Sequence, residues 1–214
     1  MGQTLKYNAM HPVFSKLACA SLRRDEILNV QLANELAKSK KQKEIQILMD
    51  ACFSERKEFQ HDAIKVFYEI GALNPQLIQP YSSLFVDLLK NGSSRMYWGA
   101  MIALQFISLI APKEIYQYLP AILDAMNKGS VIAKDHGMKI LVTLANIPAY
   151  TKKIMPLILE QLLVAPMNQF PTYVEISSEC VNKEFKIPFL QLIGNRLDED
   201  MNDTKRKRLQ KVIK

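Results

Sequence analysis

Along the middle of the chain, apolar side chains recur at i, i+3, i+4 and i+7, the one-sided stripe of an amphipathic helix. The stripe itself returns every 37 residues. Ala63, Ala100 and Gly137 share its first position, and Val66, Ala103 and Ile140 the second. Phe67, Leu104 and Leu141 follow, then Ile70, Ile107 and Leu144. A small residue leads each stripe, where a neighbouring helix has to come close. The register continues past the stripe: Pro75 matches Pro112, Pro148 falls one residue from the third position, and Ile78, Tyr81 and Asp87 match Ile115, Tyr118 and Asp124. Proline starts a helix well and cannot continue one, so it divides each repeat into two helices. Gly92-Ser93 and Gly129-Ser130 then stop the second helix and offer a serine near the next start.

The pattern predicts helices near 25–39 and 42–54, 58–72 and 76–90, 95–110 and 114–127, 133–147 and 151–164. Pro166 and Pro171 interrupt the chain before a last, irregular pair near 172–182 and 186–198, and Thr204 to Lys214 starts one more helix. Residues 1–12 read as a loose arm within a segment, 1–24, that also has room for a capping helix. One helical pair cannot bury its stripe alone, so neighbours must stack and share a core. The expectation is an all-α fold: a right-handed α-α superhelix of about five helical pairs, forming a single domain over 25–214 with a basic C-terminal helix from about 204. One helix layer would line a concave surface. Glycine is scarce, and no stretch alternates with period two, so strands are not expected.

Over about residues 25–200 the chain resembles the HEAT/armadillo superfamily of helical repeats. The resemblance rests on the small-apolar stripe, the prolines between paired helices and the repeat length. It implies a solenoid that binds proteins, peptides or nucleic acid along an extended face. It departs from the HEAT pattern where that family often carries an arginine three residues before the small residue, since Gln60, Tyr97 and Lys134 stand there.

The formal charge of +7 brings nucleic acid to mind, but its distribution weakens that reading. Residues 61–200 hold 12 basic and 13 acidic side chains, whereas 201–214 hold 6 and 1. The excess belongs to the ends. Lys205, Arg206, Lys207 and Arg208, with Lys211 and Lys214, alternate with Leu209, Val212 and Ile213 as an amphipathic helix with a basic outer face. Such a helix serves either as the terminal cap a solenoid needs or as a site for an acidic partner, nucleic acid or an anionic surface. Further basic clusters lie at Arg23-Arg24 and at Lys38, Lys40, Lys41 and Lys43. The longest apolar stretch, Ala100 to Ala111, is too short to span a membrane, and no secretory leader is evident, so a cytoplasmic setting is expected.

Little catalytic chemistry is legible. Cys19, Cys52 and Cys180 form no Cys-x-x-Cys pair and read as small core hydrophobes. His61, Trp98 and Asp135 share one repeat position, with His136 beside Asp135, and stacking would place them in a row suited to a peptide or a base. The bland reading is a helix cap and packing at a repeat boundary. Tyr81, Tyr116 and Tyr118 on the second helices read as exposed aromatics for partner contact, because aromatics are enriched at binding hot spots. No nucleotide loop, dinucleotide fingerprint, nucleophile elbow or zinc-protease motif is present, and neither metal nor cofactor is expected. The reading is therefore a non-enzymatic interaction scaffold that binds a protein or peptide along the concave surface of the solenoid. The alternative is a nucleic-acid-binding protein, or a glycosylase for alkylated DNA of the kind some HEAT-like solenoids resemble, with Asp135 near Trp98 as its one acid–aromatic pair.

Overall fold

Each apolar stripe becomes a helix because a neighbouring stripe receives it. The computed structural model of the chain describes residues 11–22 and 25–213. The expectations on the arm up to residue 10, Arg23-Arg24 and Lys214 lie outside these. Among the described residues there are twelve α-helices. They are α1 (Ile27–Ser39), α2 (Gln42–Ala51), α3 (Lys57–Leu73), α4 (Ser82–Asn91), α5 (Ser94–Ser108), α6 (Pro112–Gln117), α7 (Leu119–Lys128), α8 (Val131–Ala145), α9 (Pro148–Val164), α10 (Phe170–Ser178), α11 (Lys183–Arg196) and α12 (Asp203–Ile213). The chain divides into two compact units, Met1–Ala133 and Lys134–Lys214.

The second helices of the second and third pairs differ from expectation. In place of single helices at 76–90 and 114–127, 3-10 turns at Pro75–Leu77 and Gln79–Tyr81 lead into α4, and α6 breaks at Tyr118 before α7. Pro80 and Pro120 explain both breaks, since proline lacks the N–H that would bond one turn back and disfavours helix in the residue before it. α9 and α11 nevertheless run unbroken through Pro156 and Pro188, which are exposed.

In the first unit α1, α3 and α5 pack in succession as one layer, while α4 packs on α5 and α7. Ala63, Val66, Phe67 and Ile70 of α3 and Ala100, Ala103, Leu104 and Ile107 of α5 are all fully buried. The tightest approach lies one residue before the small position, where a Cβ on Gly99 would run into Ile64 Cγ1. Phe67 joins the layers, packing edge-on against Tyr81 and Phe85 with centroids 5.8 and 5.6 Å apart.

The open end of the first unit is covered from Pro12 onward. Two 3-10 turns, Pro12–Lys16 and Ala18–Ser21, bury Val13, Phe14, Leu17 and Ala18, and Phe14 stacks on Phe59 at 5.1 Å. A buried polar latch holds them. Asn29 Oδ1 accepts from the Ala18 N–H (3.0 Å), Asn29 Nδ2 donates to Asp62 Oδ1 (2.8 Å), and Asp62 Oδ2 accepts from the Cys19 N–H (2.7 Å).

In the second unit α9 packs on α10 and α11, and α12 on α10 and α11. Its lock is Arg196, only 9% exposed. Arg196 Nη1 donates to the carbonyls of Leu162 (2.7 Å) and Ala165 (2.9 Å) at the C-terminus of α9. Its remaining nitrogens engage Glu199 at 2.6 and 2.9 Å, and the guanidinium lies 4.2 Å over the Phe170 ring. A cation at a helix C-terminus satisfies carbonyls that lack intrahelical partners. Burial and Lys139 push the pKa of His136 down to about 4, against the opposing pull of Asp135.

Three outcomes follow for stability. Asp62→Ala leaves the buried Asn29 amide and the half-buried Cys19 N–H unpaired, so it should cost about 2–4 kcal/mol in urea unfolding; a loss below about 0.5 kcal/mol would dismiss the latch. Arg196→Leu should lower stability by about 3 kcal/mol, because Glu199 and two carbonyls lose their partner together. His136 is held neutral in the fold, with its folded pKa lowered from 6.5 to about 4. The unfolded chain therefore binds the extra proton first, and stability should fall as pH drops through that window. His136→Gln should flatten the Tm–pH profile between pH 6.5 and 5, and an unchanged slope would refute this.

Candidate functional site

The second helices of the first unit leave a groove between neighbours. It has a volume of about 680 Å³ and lies between α2, through Gln42, Gln46 and Ile47, and the segment containing Pro80, Tyr81 and Leu84. Tyr81 was expected to stand exposed, and the structure corrects this. Its ring is 5% exposed because Phe67 holds it edge-on in the core, and only its polar edge reaches the groove, where the hydroxyl accepts from Gln42 Nε2 (3.3 Å). Burial raises the Tyr81 pKa, so it stays a neutral phenol. One repeat on, Gln79 occupies the position of Gln42 and donates to Glu114 Oε2 (3.0 Å). Tyr116 and Tyr118, also expected to stand exposed, are half-buried, Tyr116 within α6 and Tyr118 at the α6–α7 break.

The predicted row of His61, Trp98 and Asp135 divides between the units. Trp98, half-buried, lines a cleft of about 480 Å³ with Tyr97, Lys90, Asp124 and Lys128. His61 does not line that cleft. Its pKa is lowered first by burial and then by Arg95, with Asp62 opposing. Asp135 belongs to the second unit, where its Oδ1 accepts from the Tyr173 hydroxyl at 2.6 Å. That bond, after burial, raises the Tyr173 pKa. The arginine positions of the HEAT pattern carry other links: Gln60 Nε2 donates to the Ser54 carbonyl (2.5 Å) and the Tyr97 hydroxyl to the Ala125 carbonyl.

The basic C-terminal helix spends much of its charge internally. Arg208 grips Glu175 through two bonds of 2.8 and 2.6 Å, holding that carboxyl below its usual range. Lys205 donates to Asn168 Oδ1 (2.6 Å) and Arg206 to the Leu197 carbonyl, while Leu209 is fully buried. Lys207 points outward and is exposed.

Sequence reasoning missed a charge cluster across the first layer. Glu26, preceding α1, pairs with Lys65 of α3 (3.1 Å) and with Arg95 of α5, and Lys65 also pairs with Glu69 (2.7 Å). Burial works against the Lys65 ammonium, but its bonds to Glu69, Tyr68 and Glu26 win and raise its pKa. Only the i, i+4 pair Lys65–Glu69 had a local signal. The cysteines are free thiols, and burial above all raises their pKa, for Cys19 to about 12 and for Cys180 to about 11. Among the described residues no group of three His, Cys, Asp or Glu side chains is placed to hold a metal, and no helix is long and apolar enough to cross a membrane.

No family model and no curated protein matches the sequence. Among solved structures, the chain is similar to computationally designed armadillo repeat proteins for modular peptide recognition. That match has a TM-score of 0.59 at 16% identity over 88% of this chain and 93% of the other. It is also similar to an engineered protein from the Northeast Structural Genomics Consortium, with a TM-score of 0.59 at 15% identity over 95% of this chain and 96% of that one. At such identities the likeness is one of fold, and with twelve helices and no strand among the described residues the chain is an all-α solenoid of the armadillo/HEAT-like helical repeat type.

Proposed function

We propose that the protein is a non-enzymatic scaffold that binds a protein or peptide along its second helices. The observation that carries this is the open groove between α2 and the Pro80–Leu84 segment, walled by Ile47, Leu84, Pro80 and Tyr81. An open trough of about 680 Å³ suits an extended chain with apolar side chains better than a small molecule, which is usually enclosed. Gln42 and Gln79, equivalent in the repeat, offer amide groups that can bond a peptide backbone. Solved armadillo repeat proteins of like fold were designed for peptide recognition, which supports the same reading here. A single repeat domain over 25–214 and a cytoplasmic setting belong to the proposal, and the three free thiols agree with a reducing compartment. The basic terminal helix is assigned as a cap, because its charges serve Glu175, Asn168 and the Leu197 carbonyl.

Affinity capture from native lysate at two salt concentrations, read by mass spectrometry, tests the assignment. Leu84→Glu, at the rim of the groove, and Tyr118→Ala should each reduce recovery of the same partner severalfold without changing the helical circular dichroism. Replacing the exposed Lys207 and Lys211 by alanine should leave recovery at the higher salt unchanged. Recovery indifferent to Leu84→Glu but abolished by the lysine changes would overturn the scaffold reading in favour of an anionic partner.

A further inference from the structure

The Trp98 cleft has a twin. A second cleft, of about 510 Å³, lies between the turn after α2 and the α4–α5 turn. Its lining repeats that of the first at an offset of 37 residues: Gln60 stands where Tyr97 does, Asp87 where Asp124 does, and Gly92 where Gly129 does. Gly92 lines both clefts, so the two sit on either side of one turn, a single helical pair apart. They form an edge of the first unit built from turns, separate from the groove between second helices.

Their spacing selects a ligand conformation. Packed helices lie roughly 8–10 Å apart. A β-strand presents same-side residues about every 7 Å, which fits poorly. A polyproline II helix has three residues per turn and rises about 3.1 Å per residue, so positions i and i+3 face the same way about 9 Å apart. That matches one repeat.

Charge then assigns the two positions. In the second cleft Asp87 is exposed, and no salt bridge among the described residues engages it. In the Trp98 cleft the equivalent Asp124 is neutralised by Lys128 at 2.8 Å, and Lys90 adds a further cation. A basic side chain is therefore drawn to Asp87 and repelled from the Trp98 cleft. Trp98 and Tyr97 give the latter the aromatic walls on which proline rings dock.

We propose that this edge binds a proline-rich peptide in the polyproline II conformation, with a basic residue in the Asp87 cleft and a proline three positions away against Trp98. Trp98 is the one tryptophan of the sequence, so its fluorescence reports occupancy directly. The intact protein would be titrated with acetylated Pro/Ala nonapeptides carrying Arg three positions before or after a fixed proline. At least one of these should give a saturable change in emission. Moving Arg to four positions away, replacing it by Glu, or introducing Asp87→Asn should each weaken binding about twofold to fivefold, the range of an exposed ion pair. Leu84→Glu should leave the titration unchanged, which separates this edge from the groove. The proposal is overturned by no saturable change with either three-position peptide, by equal affinity for the four-position peptide, by indifference to Asp87→Asn, or by loss on Leu84→Glu.

Discussion

Close approach between successive first helices is the constraint on which the first unit depends. An isolated helical pair exposes its apolar stripe, and only a neighbour at short range can cover it. The Ala63 and Ala100 positions permit that range, and Gly99 shows how little room remains, with Ile64 where a side chain would begin. Interiors are packed to crystal-like density, so the small residue sets the spacing of the layer. That spacing in turn sets the distance between everything the repeats carry on their turns and second helices.

Polar bonds finish each unit. In the first the 3-10 turns of Pro12–Ser21 lie on α1 and α3 through the Asn29–Asp62 latch, where each group finds a partner. In the second unit Arg196 closes the C-terminus of α9, and α12 covers α10 through Leu209 and the Arg208–Glu175 pair. A buried polar group left unpaired costs more than a made bond contributes. These locks therefore fix where the chain lies as well as how firmly it is held.

Recurrence also organises the surface. Two clefts with equivalent linings arise because one turn geometry is used twice, and their chemistry differs only through substitutions such as Phe53 for Lys90 and the Lys128 that silences Asp124. The groove between second helices follows the same logic, with Gln42 and Gln79 making equivalent reaches to the next second helix. A repeated frame with varied side chains thus presents equivalent sites of different chemistry at a fixed spacing.

By itself the sequence determined the first helices and which of their faces is apolar, because a stripe returning every 37 residues reports a helical period, while the breaks in the second helices and the choice of packing neighbours lay beyond it. It placed Ala63, Ala100 and the residues after them in the core, and Leu209 on the inner face of a basic helix. It did not determine directions in space. Tyr81 and Tyr118 share a repeat position, yet Phe67 draws the first into the core while the second stays half-buried. Asp62, one residue before the small position, gave no sign that it would meet the Cys19 amide, 43 residues away in sequence. Only the tertiary structure decided these contacts, since they depend on which turn of one helix faces which turn of the next, and a period fixes that a face is shared without fixing what it meets.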